Sequence, residues 1–184
     1  MPKAKSKTTK KHKTNTTPLR IDFACGQNKR EGFTGIDIAA GKGVDIVHDL
    51  ERYPWPLKAN SVDEGNISHY IEHVQDLVKF MNELHRVLKP GAECTILAPY
   101  YSSIRAWQDP THVRAISEAT FLYFNQEWMK TNGLDHYGIT ADFDFSYGYS
   151  LDPTWQNRSE EARAFAIQHY INVVSDIQVV LKKK

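Results

Sequence analysis

Four places in the sequence set polar side chains directly behind a short apolar run. Residues 22–28 read Asp-Phe-Ala-Cys-Gly-Gln-Asn, and Asp37-Ile38 closes the next run, Gly-Ile-Asp-Ile. Asp49-Leu50 follows Val47-His48, and Ser68-His69-Tyr70-Ile71-Glu72-His73 follows Ile67. A bend at Cys25-Gly26 lets a ligand approach the backbone, because glycine has no Cβ. Asn28 tolerates left-handed backbone where a further glycine would otherwise be expected. A carboxylate at Asp37 can accept both hydrogens of a ribose diol. Asp49 can accept from an exocyclic amine while the Leu50 amide reaches a ring nitrogen, which suits adenine. Singly, a carboxylate after a strand is an ordinary turn or cap residue, and residues 21–38 also read as two core strands joined by a polar bend. Four such features in order along one chain point to a bound adenosine.

The frame that would hold them is an alternation of short β-type runs with helical or loop stretches after Pro18, which predicts an α/β sheet. Strands are expected over Leu19–Ala24, Thr34–Ile38, Val44–His48, Val62–Ser68 and Glu93–Ala98. Val74, Leu77, Val78, Met81, Leu84 and Leu88 share one helical face. Lys89-Pro90-Gly91 should stop that helix, and His69 and His73, four residues apart, flank its start. The stretch from Pro99 to Gly138 is loop-rich and aromatic, with one short helix over Glu118–Phe124 behind Ser117. Ala141–Tyr149 alternates Phe143, Phe145, Tyr147 and Tyr149 with polar residues, as a strand does. Ser159 caps a helix whose Ala162, Phe165, Ala166, His169 and Tyr170 form a stripe, and Val174–Leu181 is the last strand. In such a sheet, ligands bind beyond the carboxyl ends of the strands, near the point where strand order reverses.

A chain of 184 residues with 41% hydrophobic residues suits one domain, expected here over 18–184. No apolar stretch approaches the roughly 18 residues of a membrane helix. Nor does an apolar segment follow the charged start, so neither membrane nor export is expected. Cys25 and Cys94 sit in apparent strands and read as buried thiols rather than a disulfide, which implies a cytoplasmic compartment. Six of the 23 Lys and Arg residues lie in 1–17, which holds no acid; the remainder is net acidic. That segment is expected to be a disordered basic tail.

The segments DFACGQN, GIDI, VHDL, SVDEGNISHYIEHV and HRVLKPG resemble the class I S-adenosylmethionine-dependent methyltransferases, in particular the small type 11 branch. The likeness runs from about Leu19 to Pro99. A looser one, Trp107-Gln108-Asp109-Pro110-Thr111-His112-Val113-Arg114, is similar to a motif of bacterial and phage members, some associated with surface saccharides. The resemblance implies a Rossmann-like methyltransferase fold: a mostly parallel seven-stranded sheet with an antiparallel C-terminal strand. It also implies S-adenosylmethionine as cofactor and S-adenosylhomocysteine as product. Cofactor contacts would fall on Asp22, Ala24, Cys25, Gly26, Gln27, Asn28, Asp37, Ile38, Asp49, Leu50, Ser68 and His69. Two departures stand out. Ala24 and Asn28 replace usual glycines, and only nine residues separate Cys25 from Gly35, so the helix after the first strand is reduced or absent. A dinucleotide needs that helix terminus for its pyrophosphate. The sulfonium cofactor carries no phosphate: loop amides with Lys29 or Arg30 could hold its carboxylate, and Asp22 or the Ala24 carbonyl its ammonium.

Under this resemblance the expected function is methyl transfer to a small polar acceptor, a hydroxyl on a sugar-like molecule. His112, Asp109 and His69 are the catalytic candidates, and Tyr100, Tyr101, Trp107 and Arg114 are substrate candidates. His73 reads as a histidine bonding backbone at the helix start. The spacing of the histidines and Asp109 matches no strong metal-ligand pattern, and no metal is assigned. Two other readings stay open: an RNA or protein methyltransferase recruited by the lysine tail, and a protein that binds the cofactor or its product without turnover. Strand four leads into SHYIEH rather than the Asn/Asp-Pro-Pro-aromatic loop used for amino groups of bases, so nucleic acid is not favoured.

Overall fold

A computed structural model describes residues 17–184. The basic tail expected over 1–17 therefore lies, except for Thr17, outside the described residues. Seven strands form one sheet in the order β3-β2-β1-β4-β5-β7-β6. They are β1 (Arg20–Phe23), β2 (Thr34–Asp37), β3 (Ile46–Val47), β4 (Val62–Ser68), β5 (Leu88–Pro99), β6 (Phe143–Leu151) and β7 (Val174–Lys183). The first five run parallel. Strand β7 is antiparallel to both neighbours, β5 and β6, and lies between them. The sheet is thus mostly parallel with an antiparallel C-terminal strand, as expected. The chain runs outward from β1 through β2 to β3 and then back to β4 on the other side of β1. That reversal puts the ligand crevice past the carboxyl ends of β1 and β4.

The expected loss of the helix after β1 is complete, since only turns connect Ala24 to Phe33. Two acids fasten this connection. Asp22 accepts the Arg30 amide (2.7 Å), and Asp37 accepts the Gly26 amide (2.8 Å). The positive-φ backbone of this connection falls at Ala24 and Gly26, both with φ of 53°, and at Gly32, with φ of 80°, and not at Asn28. Ala24 thus does with a Cβ what glycine does without strain.

Helix α1 (Leu77–Val87) begins later than its apolar face implies. Asp76 caps it, accepting the Lys79 amide at 3.0 Å. Val74 is fully buried but lies in the preceding turn, as do His69 and His73. A buried residue in a turn gives the same apolar spacing as a helical one. The helix stops at Leu88, which is already extended, and β5 starts there rather than at Glu93. Pro90 and Gly91 fall in an irregular stretch where the pairing jumps from Val62–Leu88 to Glu64–Glu93. The 3-10 segment Glu118–Phe124 has the expected bounds, and Asn125 caps α2 (Gln126–Thr131), which the sequence did not reveal. Two short elements follow β6: α3 (Pro153–Gln156) and α4 (Glu160–His169). Ser159 caps α4 as expected, but of its proposed apolar stripe only Ala166 is fully buried; Phe165 and Tyr170 are exposed.

The core gathers Ile21, Phe23, Ile36, Ile67, Phe80, Met81, Leu84 and Trp55 around the sheet. Glu83 on α1 is buried with them, accepting the Trp55 amide (2.6 Å) and two bonds from Arg86 (2.6 and 2.7 Å). Burial pushes the Glu83 carboxyl up, but Arg86 and the Trp55 amide outweigh it and hold it below its ordinary value. Its stabilisation is therefore complete above the unfolded value, about 4.3. It is lost as pH falls through the lower folded value. Glu83→Gln should cost about 1–2 kcal/mol at neutral pH and flatten the acid side of the stability profile, read by denaturant titration across the carboxylate range. An unchanged slope would contradict the assignment.

Among the described residues no helix is long and apolar enough to cross a membrane.

Candidate active site

Two cavities open past the carboxyl ends of the central strands, and Ala24 walls both. The larger, about 600 Å³, is lined by Asp22 on β1, by Cys25, Asn28 and Arg30 from the connection after it, and by Asn66, Ser68, Thr95, Leu97 and Gln178 from other strands of the sheet. Asp22 is 3% exposed and accepts from Arg30 N and Asn66 Nδ2, both at 2.7 Å. It therefore orients the residues that line the cavity. Arg30 Nη1 reaches Asn66 Oδ1 at 3.3 Å, and its guanidinium lies 4.9 Å over the Phe33 ring. Lys29 turns away, pairing with Asp45 at 2.6 Å. Of the two cations the sequence offered, Arg30 is the one at the cavity.

The connection can pass this close only because Gly35 leaves room. A Cβ there would stand 2.4 Å from the Gly43 carbonyl oxygen and 2.6 Å from Cys25 Sγ. Burial, then the Asp22 and Asp37 charges, push the Cys25 thiol up, so it is a packed thiol rather than a nucleophile.

The smaller cavity, about 300 Å³, is lined by Asp37 and Ile38 at the end of β2, His48, Asp49 and Leu50 after β3, and His69, Tyr70 and His73 after β4. Asp37 Oδ2 takes the Gly26 amide, and each carboxylate oxygen keeps further acceptor capacity. Ile38 is 68% exposed, an apolar surface beside a carboxylate. Asp49 accepts the Glu51 amide (3.0 Å) and stands 3.3 Å from Arg52 Nε. Leu50 is buried, and its carbonyl is held by Trp55 Nε1 at 3.0 Å. The three points 25–28, 37 and 49 therefore meet on one face of the molecule, though Gly26 and Gln27 wall neither cavity.

Beyond β4 a polar cluster forms around Glu72, which is 2% exposed. His69 Nδ1 lies 3.6 Å from Glu72 Oε1, and His112 Nε2 lies 3.9 Å from it. The His73 and His112 rings meet edge-on, with centroids 4.7 Å apart. His112 reaches Asp109 only at 3.9 Å, too long for a hydrogen bond. Asp109 instead takes the Thr111 hydroxyl (2.7 Å) and amide (2.8 Å), and these bonds hold its carboxyl below the ordinary range. His73, expected to bond backbone, meets the Thr111 hydroxyl at 3.0 Å. Sequence reasoning did not single out Glu72. It sits between two histidines in a turn, with no spacing signal of its own.

The substrate candidates do not converge with these groups. Both Nη atoms of Arg114 donate to the carbonyls of Val74 and Gln75, which fixes the turn after β4. Tyr100 and Tyr101 wall a separate cavity of about 350 Å³ with Tyr147 and Tyr149, and the Tyr100 hydroxyl bonds Glu118 at 3.1 Å. Trp107 is 67% exposed and donates to the Tyr101 carbonyl.

Residues 17–96 match the family model of a methyltransferase domain. A curated relative, 2-phytyl-1,4-naphtoquinone methyltransferase of Nostoc punctiforme, is 38% identical over 56 residues, which are 29% of this chain and 24% of that protein. The alignment thus spans about a quarter of the relative. A solved S-adenosylmethionine-dependent methyltransferase from Archaeoglobus fulgidus superposes with a TM-score of 0.63 at 20% identity, covering 90% of this chain and 86% of that one. Another, from Mesorhizobium loti, gives 0.54 at 13% identity over 91% of each chain. At these identities the likeness to the solved structures is one of fold.

Proposed function

We propose, starting from a type 11 methyltransferase domain on the class I methyltransferase sheet, that this chain moves a methyl group from S-adenosylmethionine to a small polar acceptor. The observation that carries the reading is the pair of cavities meeting at Ala24, one flanked by the Asp37 and Asp49 carboxylates and the other by Arg30. This is a cradle for an elongated molecule with a nucleoside at one end and a carboxylate at the other. Asp37 would accept from the ribose hydroxyls and Asp49 from the adenine amine, with Ile38 and Leu50 against the ring. Arg30 would hold the carboxylate, and Asp22 or the Ala24 carbonyl the ammonium. The bound cofactor supplies a methyl group already activated by its sulfonium. A turn without a helix terminus is compatible with this ligand and poorly suited to a pyrophosphate.

The protein's remaining task is alignment, which can contribute up to roughly 7–11 kcal/mol. A hydroxyl acceptor, sugar-like in our reading, must also lose a proton. His69, which lines the smaller cavity, is the base we favour, with His112 and Asp109 on the acceptor's side. The free thiols Cys25 and Cys94 support a cytoplasmic compartment. Calorimetry with S-adenosylmethionine, S-adenosylhomocysteine and NAD tests the core of this. One-to-one binding of the first two, and none of NAD, is expected. Absence of saturable heat with either sulfur compound would overturn it.

A further inference from the structure

We propose that Glu72, His73 and His112 form a binding site for a divalent transition-metal ion of the zinc class. One donor atom from each lies within 4.8 Å of the others. Hydrogen-bond logic shows which ring nitrogens are free to bind. The Thr111 hydroxyl has one hydrogen and gives it to Asp109 Oδ1 at 2.7 Å. Toward His73 Nδ1, 3.0 Å away, it can only accept, so His73 carries its proton on Nδ1. His112 Nδ1 lies 3.0 Å from the Ala106 carbonyl oxygen, a pure acceptor, so this ring too is protonated on Nδ1. As neutral imidazoles, both keep a bare lone pair on Nε2. The third member is the Glu72 carboxylate, 2% exposed, with neither oxygen hydrogen-bonded among the described residues.

Two imidazole lone pairs beside a buried carboxylate, whose other neighbour is His69 Nδ1 at 3.6 Å, are costly unless a cation joins them. A metal ion supplies it. Metal-bound histidines characteristically donate the other ring N–H to a carbonyl or an acidic network, as both do here. Bonds of about 2.0–2.2 Å would bring the ligand atoms to roughly 3.4 Å apart. The observed 3.9 Å between His112 Nε2 and Glu72 Oε1 needs a small closure, and the pairs with His73, within 4.8 Å, a larger one. Two imidazoles and one carboxylate suit zinc, iron, cobalt or nickel rather than magnesium or calcium. Three protein donors leave a position for water or a small-molecule oxygen.

The donors come from two segments, the turn after β4 and the loop after β5, already joined by the Val113 amide on the Glu72 carbonyl at 3.0 Å. His73 also lines the smaller cavity, so the ion would stand beside it. The site follows from these side chains alone and does not depend on methyl transfer.

The test uses the full chain, stripped with chelator and titrated with CoCl2 by visible absorption and with ZnCl2 by calorimetry. One equivalent of cobalt should give d–d bands, and zinc should displace it. Glu72→Gln and His112→Ala should abolish the bands. Thr111→Val, which releases the His73 tautomer, should weaken zinc binding about 10–100-fold. Metal-free Glu72→Gln should melt no lower than metal-free wild type, because a buried unpaired charge is gone, which separates lost ligation from lost folding. If the substitutions fail to fold, the wild-type cobalt spectrum and its zinc competition decide alone. No binding by wild type, or bands unchanged in Glu72→Gln, would overturn the site.

Discussion

Trp55→Ala should lower the unfolding free energy by about 3–5 kcal/mol, the range for removing a large buried aromatic. Trp55 is 2% exposed, and its ring lies 5.0 Å from Phe23 and 5.2 Å from Phe80 by centroid. Its indole nitrogen bonds the Leu50 carbonyl at 3.0 Å, so the residue joins the core to the floor of the smaller cavity. Alanine would leave a void beneath that floor and an unanswered carbonyl. Trp55→Phe keeps most of the volume and loses the hydrogen bond, and should cost less. Urea titrations with unchanged slope would report both values. A loss below about 1 kcal/mol for alanine would mean that this part of the core closes over the gap.

Asp37→Ala should weaken S-adenosylhomocysteine binding by about 1.5–3 kcal/mol, the worth of a hydrogen bond to a charged group. In Kd that is roughly 10- to 150-fold. Asp37 also holds the Gly26 amide, so alanine frees the turn as well as removing the ribose acceptor. Melting the ligand-free variant measures the loosened turn, and calorimetry measures the lost affinity. Asp37→Asn retains an oxygen acceptor and should fall between wild type and alanine. Equal affinity in wild type and alanine would remove Asp37 from the nucleoside site.

The sheet was legible because short β-type runs alternate with helical or loop stretches, and the acids at 22, 37 and 49 stand at or just past the carboxyl ends of three of those runs. Distance along the chain hid the rest. Glu72 and His112 are brought together only once the turn after β4 packs on the loop after β5, and no spacing rule spans that gap. Local patterning also misled. Val74 satisfies the helical periodicity from a turn, and Phe165 satisfies it on a helix that leaves it exposed. Asn28 fits left-handed backbone, but the conformation settles on Ala24, one residue after the strand.

Strand β7 lies between β5 and β6 and supplies register to both. Its Lys183 is buried, donating to Asn60 and to the carbonyls of His85 and Leu88. Until residues 174–183 have been synthesised, neither neighbour can find its partner on that side. An emerging polypeptide therefore carries an open edge at β5 from the synthesis of that strand until β7 follows. The final closure joins segments remote in sequence, a late and comparatively slow event, during which a chaperone or a second nascent copy could compete for the same edge.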